Sequence, residues 1–284
     1  MNNMMRKILV GVFITLLIGC SKQSPLEERS GYLIDHSYSY STKQHIESVK
    51  FLVLHYTALN EQRSLRALTG GNVSVQYLIT AHPQYKNNEP IIFQLSSENE
   101  KAWHAGRSEW RGYKNLNGYS IGIEIVNCGF KKYFFKKEWC LYHPSQIDAV
   151  IRLAKDIIRR HKIEAVNVVG HSDIAPLRKE DPGPVFPWHT LYEKGIGAWP
   201  DTVTVNKYLA GRAPETPASV IGIQKALAAY GYAIPQTGYL DVNTHKTIKA
   251  FQMHFRPSDI QGYPDAETEA IALALVEKYQ LNKN

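Results

Sequence analysis

The sequence predicts an α/β (α+β) protein: a mixed β-sheet flanked by helices, followed by a small three-helix domain. Short runs rich in β-branched and aromatic residues, Val49 to Tyr56, Val73 to Thr80, Ile91 to Leu95, Ile121 to Val126 and Ala165 to Val169, read as strands. Between the last two, Ile147, Val150, Ile151, Ala154, Ile157 and Ile158 recur at helical spacing within Pro144 to His161, the stripe of an amphipathic helix lying on a sheet. After Trp199 the composition changes and helical patterns take over. The 284 residues suit two domains, at roughly 100–200 residues each.

The chain opens on Arg6-Lys7, an apolar run from Ile8 to Ile18, and Gly19-Cys20. Such a run rises only ~16 Å as a helix, whereas a hydrocarbon core of ~30 Å needs about twenty residues, so it reads as a secretion signal and not as a span. Leu17-Ile18-Gly19-Cys20 resembles the bacterial lipobox. That resemblance implies a signal peptide over residues 1–19, cleavage before Cys20 and lipidation of Cys20 by fatty chains such as palmitate; the alternative is an ordinary signal with a chance cysteine. Ser21, by the same sorting rules, implies the outer membrane of a Gram-negative bacterium, with the protein facing the periplasm. Residues 20–30 are polar and serve as a tether.

Hydrophobic residues make up 44% and charged residues 21%, which excludes disorder throughout. The formal charge of +7, from 33 Lys+Arg against 26 Asp+Glu, suits anionic surfaces but is too small and scattered to indicate nucleic acid. Three cysteines make neither a disulfide framework nor a Cys-only zinc site. With Cys20 acylated, Cys128 and Cys140 remain, and their pairing stays open. No heptad or exposed repeat asks for a partner, so a monomer is expected.

The folded domain is expected over residues 31–205, a linker over 206–217 around Gly211 to Pro217, and the three-helix domain over 218–284. One helix runs through Ile221, Ile223, Leu227 and Ala228, a second through Thr244, Ile248, Phe251, Gln252 and Phe255, and a third from Glu267 to Tyr279. Gly238 to Thr244 and Gly262 to Thr268 share a Gly-x-x-Asp-x-x-Thr spacing that places Asp241 and Asp265 at helix starts, where a side-chain oxygen caps free N–H groups.

His55 and His171 each end an apolar strand, in Leu54-His55-Tyr56 and Val169-Gly170-His171. Either alone reads first as a satisfied structural histidine; two at equivalent strand ends make a stronger case. Asp181 opens Asp181-Pro182-Gly183-Pro184, a rigid turn that fixes the direction of a carboxylate. Two imidazoles and a carboxylate are a common shell for catalytic Zn²⁺ with a fourth position for water. Alternation puts Ile121, Ile123 and Ile125 on one face of their strand and Glu124 with Gly122 on the other, so Glu124 either faces solvent or has a task. Lys179 reads as an oxyanion-stabilising ammonium or as a solvated loop residue. Arg178 carries the same ambiguity, and His104 is a candidate to line the cleft or donate to substrate.

Together, His55-Tyr56-Thr57, Trp103-His104-Ala105-Gly106, Asn117 to Glu124, Gly170 to Pro176, Arg178-Lys179 and Asp181-Pro182-Gly183 resemble the zinc-dependent N-acetylmuramoyl-L-alanine amidases of the amidase-2 type, related to peptidoglycan recognition proteins. The resemblance runs from about residue 45 to 200. It implies one zinc per chain on His55, His171 and Asp181, Glu124 as general base and then acid, and Lys179 as transition-state lysine. The reaction implied is hydrolysis of the amide between the lactyl group of N-acetylmuramic acid, ordinary or 1,6-anhydro, and L-alanine of the stem peptide. The segment from Ile221 to Tyr279, with Gly238-Tyr239-Leu240-Asp241 and Phe251-Gln252, resembles a peptidoglycan-binding module. The implied partners are peptidoglycan and muropeptide fragments. Two rivals stay open: a zinc peptidase cutting within the stem, and a non-catalytic murein-binding lipoprotein.

Overall fold

The computed structural model describes residues 26–134 and 136–280; the signal segment and Cys20 lie outside them. Along the chain, β1 (Glu27–Glu28) and β2 (Leu33–Asp35) lead to β3 (Phe51–Tyr56), α1 (Glu61–Thr69), β4 (Tyr77–Ile79), β5 (Tyr85–Lys86) and β6 (Glu89–Gln94). A short hairpin, β7 (Glu109–Trp110) with β8 (Tyr113–Lys114), precedes β9 (Ser120–Ile125), and β10 (Phe130–Tyr133) with β11 (Lys136–Trp139) forms another. Then come α2 (Pro144–His161), β12 (Val168–Gly170), α3 (His171–Ile174), α4 (Trp188–Glu193), α5 (Thr202–Leu209), α6 (Val220–Tyr230), α7 (Val242–Phe255) and α8 (Ala266–Gln280).

The main sheet is mixed, in the order β1-β2-β6-β4-β9-β3-β12 with β5 on β6. Its strands β4, β9, β3 and β12 are parallel neighbours, and β4 meets β6 antiparallel. One face is covered by α2, which starts as its sequence dictates: Pro144 sits at the first turn, His143 Nδ1 accepts from Ser145 N–H at 3.3 Å, and Gln146 Oε1 accepts from His143 N–H at 3.0 Å. Val150, Leu153, Ala154 and Ile157 of α2 are fully buried together with Ile121, Ile123 and Ile125 of β9 and Leu52 and Leu54 of β3. The period-2 alternation therefore leaves Gly122, Glu124, Val53 and His55 on the opposite face.

The observed elements differ from the sequence expectations where local bonds compete with the ladder. Residues 73–76 do not extend β4, because Ser74 and Gln76 bond to the loops at Trp103, Leu95 and Glu100. Ala165–Asn167 is a 3-10 turn, and the strand runs Val168–Gly170. Helix α1 was not expected from its short apolar stripe; Asn60 caps it through Arg63 N–H at 3.0 Å. Glu27 and Glu28 pair with Ile34 and Leu33, so the sheet begins within the stretch read as tether. Cys128 and Cys140 are disulfide-bonded across the base of the β10–β11 hairpin, with Cα atoms 5.9 Å apart.

The linker expectation over 206–217 is corrected by what those residues touch. Helix α5 packs along α8, with Lys207 and Tyr208 both bonded to Glu277, and Arg212 pairs with Glu269. The carbonyls of Pro214 and Thr216 accept from Glu267 and Ala266. These residues belong to the C-terminal domain. Its helices follow the repeated capping spacing: Asp241 accepts from Thr244 N–H and Asp265 from Thr268 N–H, both at 2.8 Å. Two buried glutamines complete the repeat. Gln224 accepts from Gly238 N–H and donates to Thr244, while Gln252 accepts from Gly262 N–H and donates to Thr268. One apolar cluster runs from Phe51, Val53, Trp110 and Ile174 into Ile223, Tyr230, Tyr232, Phe251 and Phe255, so the two domains share a core.

Candidate metal centre and active site

Strand register builds the site. In the parallel pairing of β3 with β9, His55 lies directly beside Glu124, and in that of β3 with β12, Gly170 lies beside Leu54, so His171 emerges level with His55. Strand ends in open sheets are where such groups collect. Ser172 N–H donates to the Asp181 carbonyl at 2.9 Å, bringing the Asp181-Pro182 turn, whose peptide bond is cis, against α3. The result is three converging atoms: His55 Nδ1 is 3.0 Å from His171 Nδ1 and 3.0 Å from Asp181 Oδ2, and His171 Nδ1 is 3.1 Å from the same oxygen. All three residues are buried, and they form a group able to hold a metal ion.

Hydrogen-bond polarity shows why a cation fits there. Ser120 Oγ donates to the Leu116 carbonyl at 2.7 Å, so toward His104 it accepts, from Nε2–H at 3.3 Å. His104 Nδ1 then carries a lone pair and accepts from His55 Nε2–H at 3.0 Å. His171 Nε2 lies 3.1 Å from the Ala105 carbonyl, which only accepts, and 3.2 Å from Arg178 Nη2, whose hydrogens are already donated to the Ala105 and Arg107 carbonyls, so we assign Nε2–H as the donor to Ala105. With both Nε2 atoms serving as donors, both Nδ1 atoms present lone pairs, and they face a carboxylate oxygen. Three electron-rich atoms within about 3 Å and out of water repel one another unless a positive charge sits among them.

Burial and His171 pull the His55 ring down to about 4, against the opposing pull of Asp181, so the imidazole is neutral and ready to ligate. Burial raises the Asp181 carboxyl, but His171 and His55 outweigh it and hold the group well below the usual carboxylate range. Glu124 behaves oppositely: burial, reinforced by Asp181 and opposed by Lys179, pushes its carboxyl well above its ordinary value. Its Oε2 is enclosed and has no hydrogen-bond partner among the described residues. A strand-borne carboxylate of raised proton affinity, beside a group able to hold a metal ion, has the chemistry to take up and release a proton.

His104 does not line the cleft as the sequence reading had it. It is buried behind His55 and fixes that ring's tautomer, and burial next to His55 and His171 keeps its own ring well below the usual histidine range. Gly122 makes room for it: a Cβ there would stand 2.7 Å from His104 Cγ. The guanidinium of Arg178 is engaged with the carbonyls of Ala105 and Arg107, so it braces the loop beside His171 rather than standing free for substrate. Lys179 is half-buried between α3 and Asp181, close enough for its charge to act on both Glu124 and His55.

Two supporting residues were not singled out from sequence. Asn117 Oδ1 accepts from the backbone N–H groups of His104 and Ala105, at 3.1 and 2.7 Å, and sets the loop that carries the partners of the His55 and His171 rings. Ser120 anchors His104. Both stand in the Asn117 to Glu124 stretch, and their signal there is a buried polar residue amid apolar neighbours.

Residues 45–184 match the N-acetylmuramoyl-L-alanine amidase family, and residues 216–271 match a peptidoglycan binding domain family. The chain is 48% identical to N-acetylmuramoyl-L-alanine amidase AmiD of Escherichia coli K12 over 93% of its own length and 95% of that protein. Its fold is similar to a solved complex of E. coli AmiD with the substrate anhydro-N-acetylmuramic acid-L-Ala-D-gamma-Glu-L-Lys, with a TM-score of 0.79, 49% identity, and coverage of 89% and 98% of the two chains. It is also similar to AmpDH3 of Pseudomonas aeruginosa in complex with anhydromuramic pentapeptide, with a TM-score of 0.74, 45% identity, and coverage of 86% and 96%.

Adding zinc to the metal-stripped protein is expected to raise its melting temperature, since a ligand that binds only the folded state stabilises it; Asp181→Ala should abolish that shift, and an unchanged shift contradicts the ligand set. Gly122→Ala should displace His104 and weaken zinc retention in chelator competition by about 10–100-fold. Wild-type retention in that variant would show that the His104 brace is dispensable.

Proposed function

The chain belongs to the N-acetylmuramoyl-L-alanine amidase family, and we propose that, with one zinc ion held by His55, His171 and Asp181, it hydrolyses the amide between the lactyl group of N-acetylmuramic acid and L-alanine of the stem peptide. The observation that carries this reading is the convergence of three lone-pair atoms beside the unpartnered Oε2 of Glu124 on the adjacent strand. The two solved relatives with anhydromuramyl ligands support acceptance of the 1,6-anhydro sugar as well as the ordinary one.

Zinc at this site supplies a lowered pKa for its bound water, towards ~7, and polarisation of the scissile carbonyl. Glu124 takes the proton released as water oxygen attacks the lactyl carbonyl carbon. The raised proton affinity of its carboxyl suits it to hold that proton and then deliver it to the L-alanine nitrogen as the C–N bond breaks. Lys179 places positive charge where the carbonyl oxygen turns negative. His104 and the Ala105 carbonyl keep both imidazoles in the ligating tautomer throughout. The C-terminal domain, matched to peptidoglycan binding domains, supplies affinity for the wall.

The protein is further proposed to act as a lipoprotein of the outer membrane, facing the periplasm. The apolar run before Gly19-Cys20 and the Ser21 that follows support this. Palmitate labelling and sedimentation with outer-membrane fractions are the expected outcome for the wild type, with labelling lost in Cys20→Ala; an unlabelled wild type contradicts the anchor.

Mass analysis of products from ordinary and anhydro muramyl tripeptides should give the free sugar acid and a peptide beginning with L-alanine. A shortened peptide still joined to its sugar would instead make the enzyme a stem peptidase. Glu124→Gln should keep its zinc yet lose at least about 10²-fold in turnover, and normal turnover in that metal-replete variant would remove Glu124 from the chemistry.

A further inference from the structure

We propose that Asp173, gripped from the C-terminal domain by Tyr232 and His254, is a positioning residue for the ligand His171 and the turn that brings in Asp181, so that the C-terminal domain completes the metal centre in addition to binding the wall. The proposal rests on the zinc reading above.

Asp173 is 1% exposed and stands two residues beyond His171 in α3. Its Oδ2 accepts from Gly170 N–H at 2.7 Å, which spans the backbone turn carrying His171 from the end of β12. That is the only hydrogen bond given to its side chain by its own domain among the described residues. The others come from across the interface: the Tyr232 hydroxyl donates to Oδ1 at 2.6 Å, and His254 Nδ1–H donates to Oδ2 at 2.7 Å. A carboxylate removed from water holds its place only while such donors satisfy it. Without them, Asp173 must turn toward solvent, and the turn it spans opens with it.

Both donors are themselves fixed. The His254 ring stacks on Trp188 with centroids 3.8 Å apart and planes 15° from parallel, and the Tyr232 ring meets Trp110 edge-on at 4.8 Å. Trp188 in turn closes over Gly170, where a Cβ would lie 3.3 Å from its ring and 2.7 Å from Pro182 of the Asp181 turn. Farther along the same loop, α7 holds the Leu177 carbonyl through Lys246 Nζ and Glu180 through Lys249 Nζ, both at 3.0 Å. The stretch from Gly170 to Asp181, which supplies two metal ligands and Lys179, is thus bonded to the C-terminal domain at Asp173, Leu177 and Glu180. Partners one step behind metal ligands fix ligand direction, and losing one weakens metal affinity or activity by about 10–100-fold.

The test uses the full-length zinc protein. Tyr232→Phe keeps the ring and removes the hydroxyl; His254→Ala removes the other donor; His254→Asn keeps an amide donor close to the place of Nδ1. Lys278→Met removes α8 contacts to Tyr192, Trp199 and Asp201, elsewhere on the same interface. Tyr232→Phe and His254→Ala are expected to surrender zinc to a chelator about tenfold more readily and to lose kcat, with KM within about twofold of wild type. His254→Asn should recover part of both losses, and Lys278→Met should retain zinc and kcat. Wild-type zinc retention and kcat in Tyr232→Phe would overturn the proposal, as would a rise in KM alone or an equal loss in Lys278→Met. If His254→Ala does not fold, Tyr232→Phe and His254→Asn decide the matter. Zinc retention needs no substrate, so a wild type that cuts some other bond would overturn the amidase reading and leave this test intact.

Discussion

Three electron-rich atoms, two imidazole nitrogens and a carboxylate oxygen, are forced within about 3 Å of one another on three buried residues. Everything around them follows from the need to hold that arrangement. The parallel register of β12, β3 and β9 sets His171, His55 and Glu124 side by side, and the Ser120–His104 relay with the Ala105 carbonyl dictates which nitrogen of each ring looks inward. Apart from a cation, no neighbour described here makes such a cluster favourable.

The same enclosure tunes the groups in opposite directions. Asp181, flanked by two imidazoles, stays ionised, whereas Glu124, enclosed and facing Asp181, holds its proton more tightly than an ordinary carboxyl. Two carboxylates a short distance apart are thereby pushed in opposite directions by their surroundings, the pattern that the proposed division between metal binding and proton exchange requires. The disulfide-closed hairpin and the C-terminal domain frame the ligand loop from two sides: Lys137 and Lys249 both bond Glu180, the residue before Asp181.

Much of this was legible in the chain. Alternation in Ile121 to Ile125 separates Glu124 from the core, the helical stripe of α2 coincides with Pro144–His161, and the repeated aspartates do cap α7 and α8. His55, His171 and Asp181 stand out as residue types at strand ends and in a rigid turn. What the chain conceals is direction and long-range partnership. His104 reads from sequence as a residue to line the cleft or donate to substrate because nothing local says that Gly122 leaves a hole behind the strand for its ring. The 206–217 stretch looked like a linker because its bonds run to Glu269 and Glu277, 57 and 70 residues away in sequence. Asp173 meets His254 across 81 positions, a pairing no periodicity encodes.

The central claim is that zinc sits on two imidazoles and one carboxylate with a fourth position open to water. X-ray absorption at the zinc edge of the purified protein tests it most directly. The account predicts a four-coordinate shell of nitrogen and oxygen at about 2.0–2.2 Å, with scattering from two imidazole rings and no sulfur. A third imidazole in the shell, a sulfur neighbour, or a shell already closed by protein ligands would contradict it.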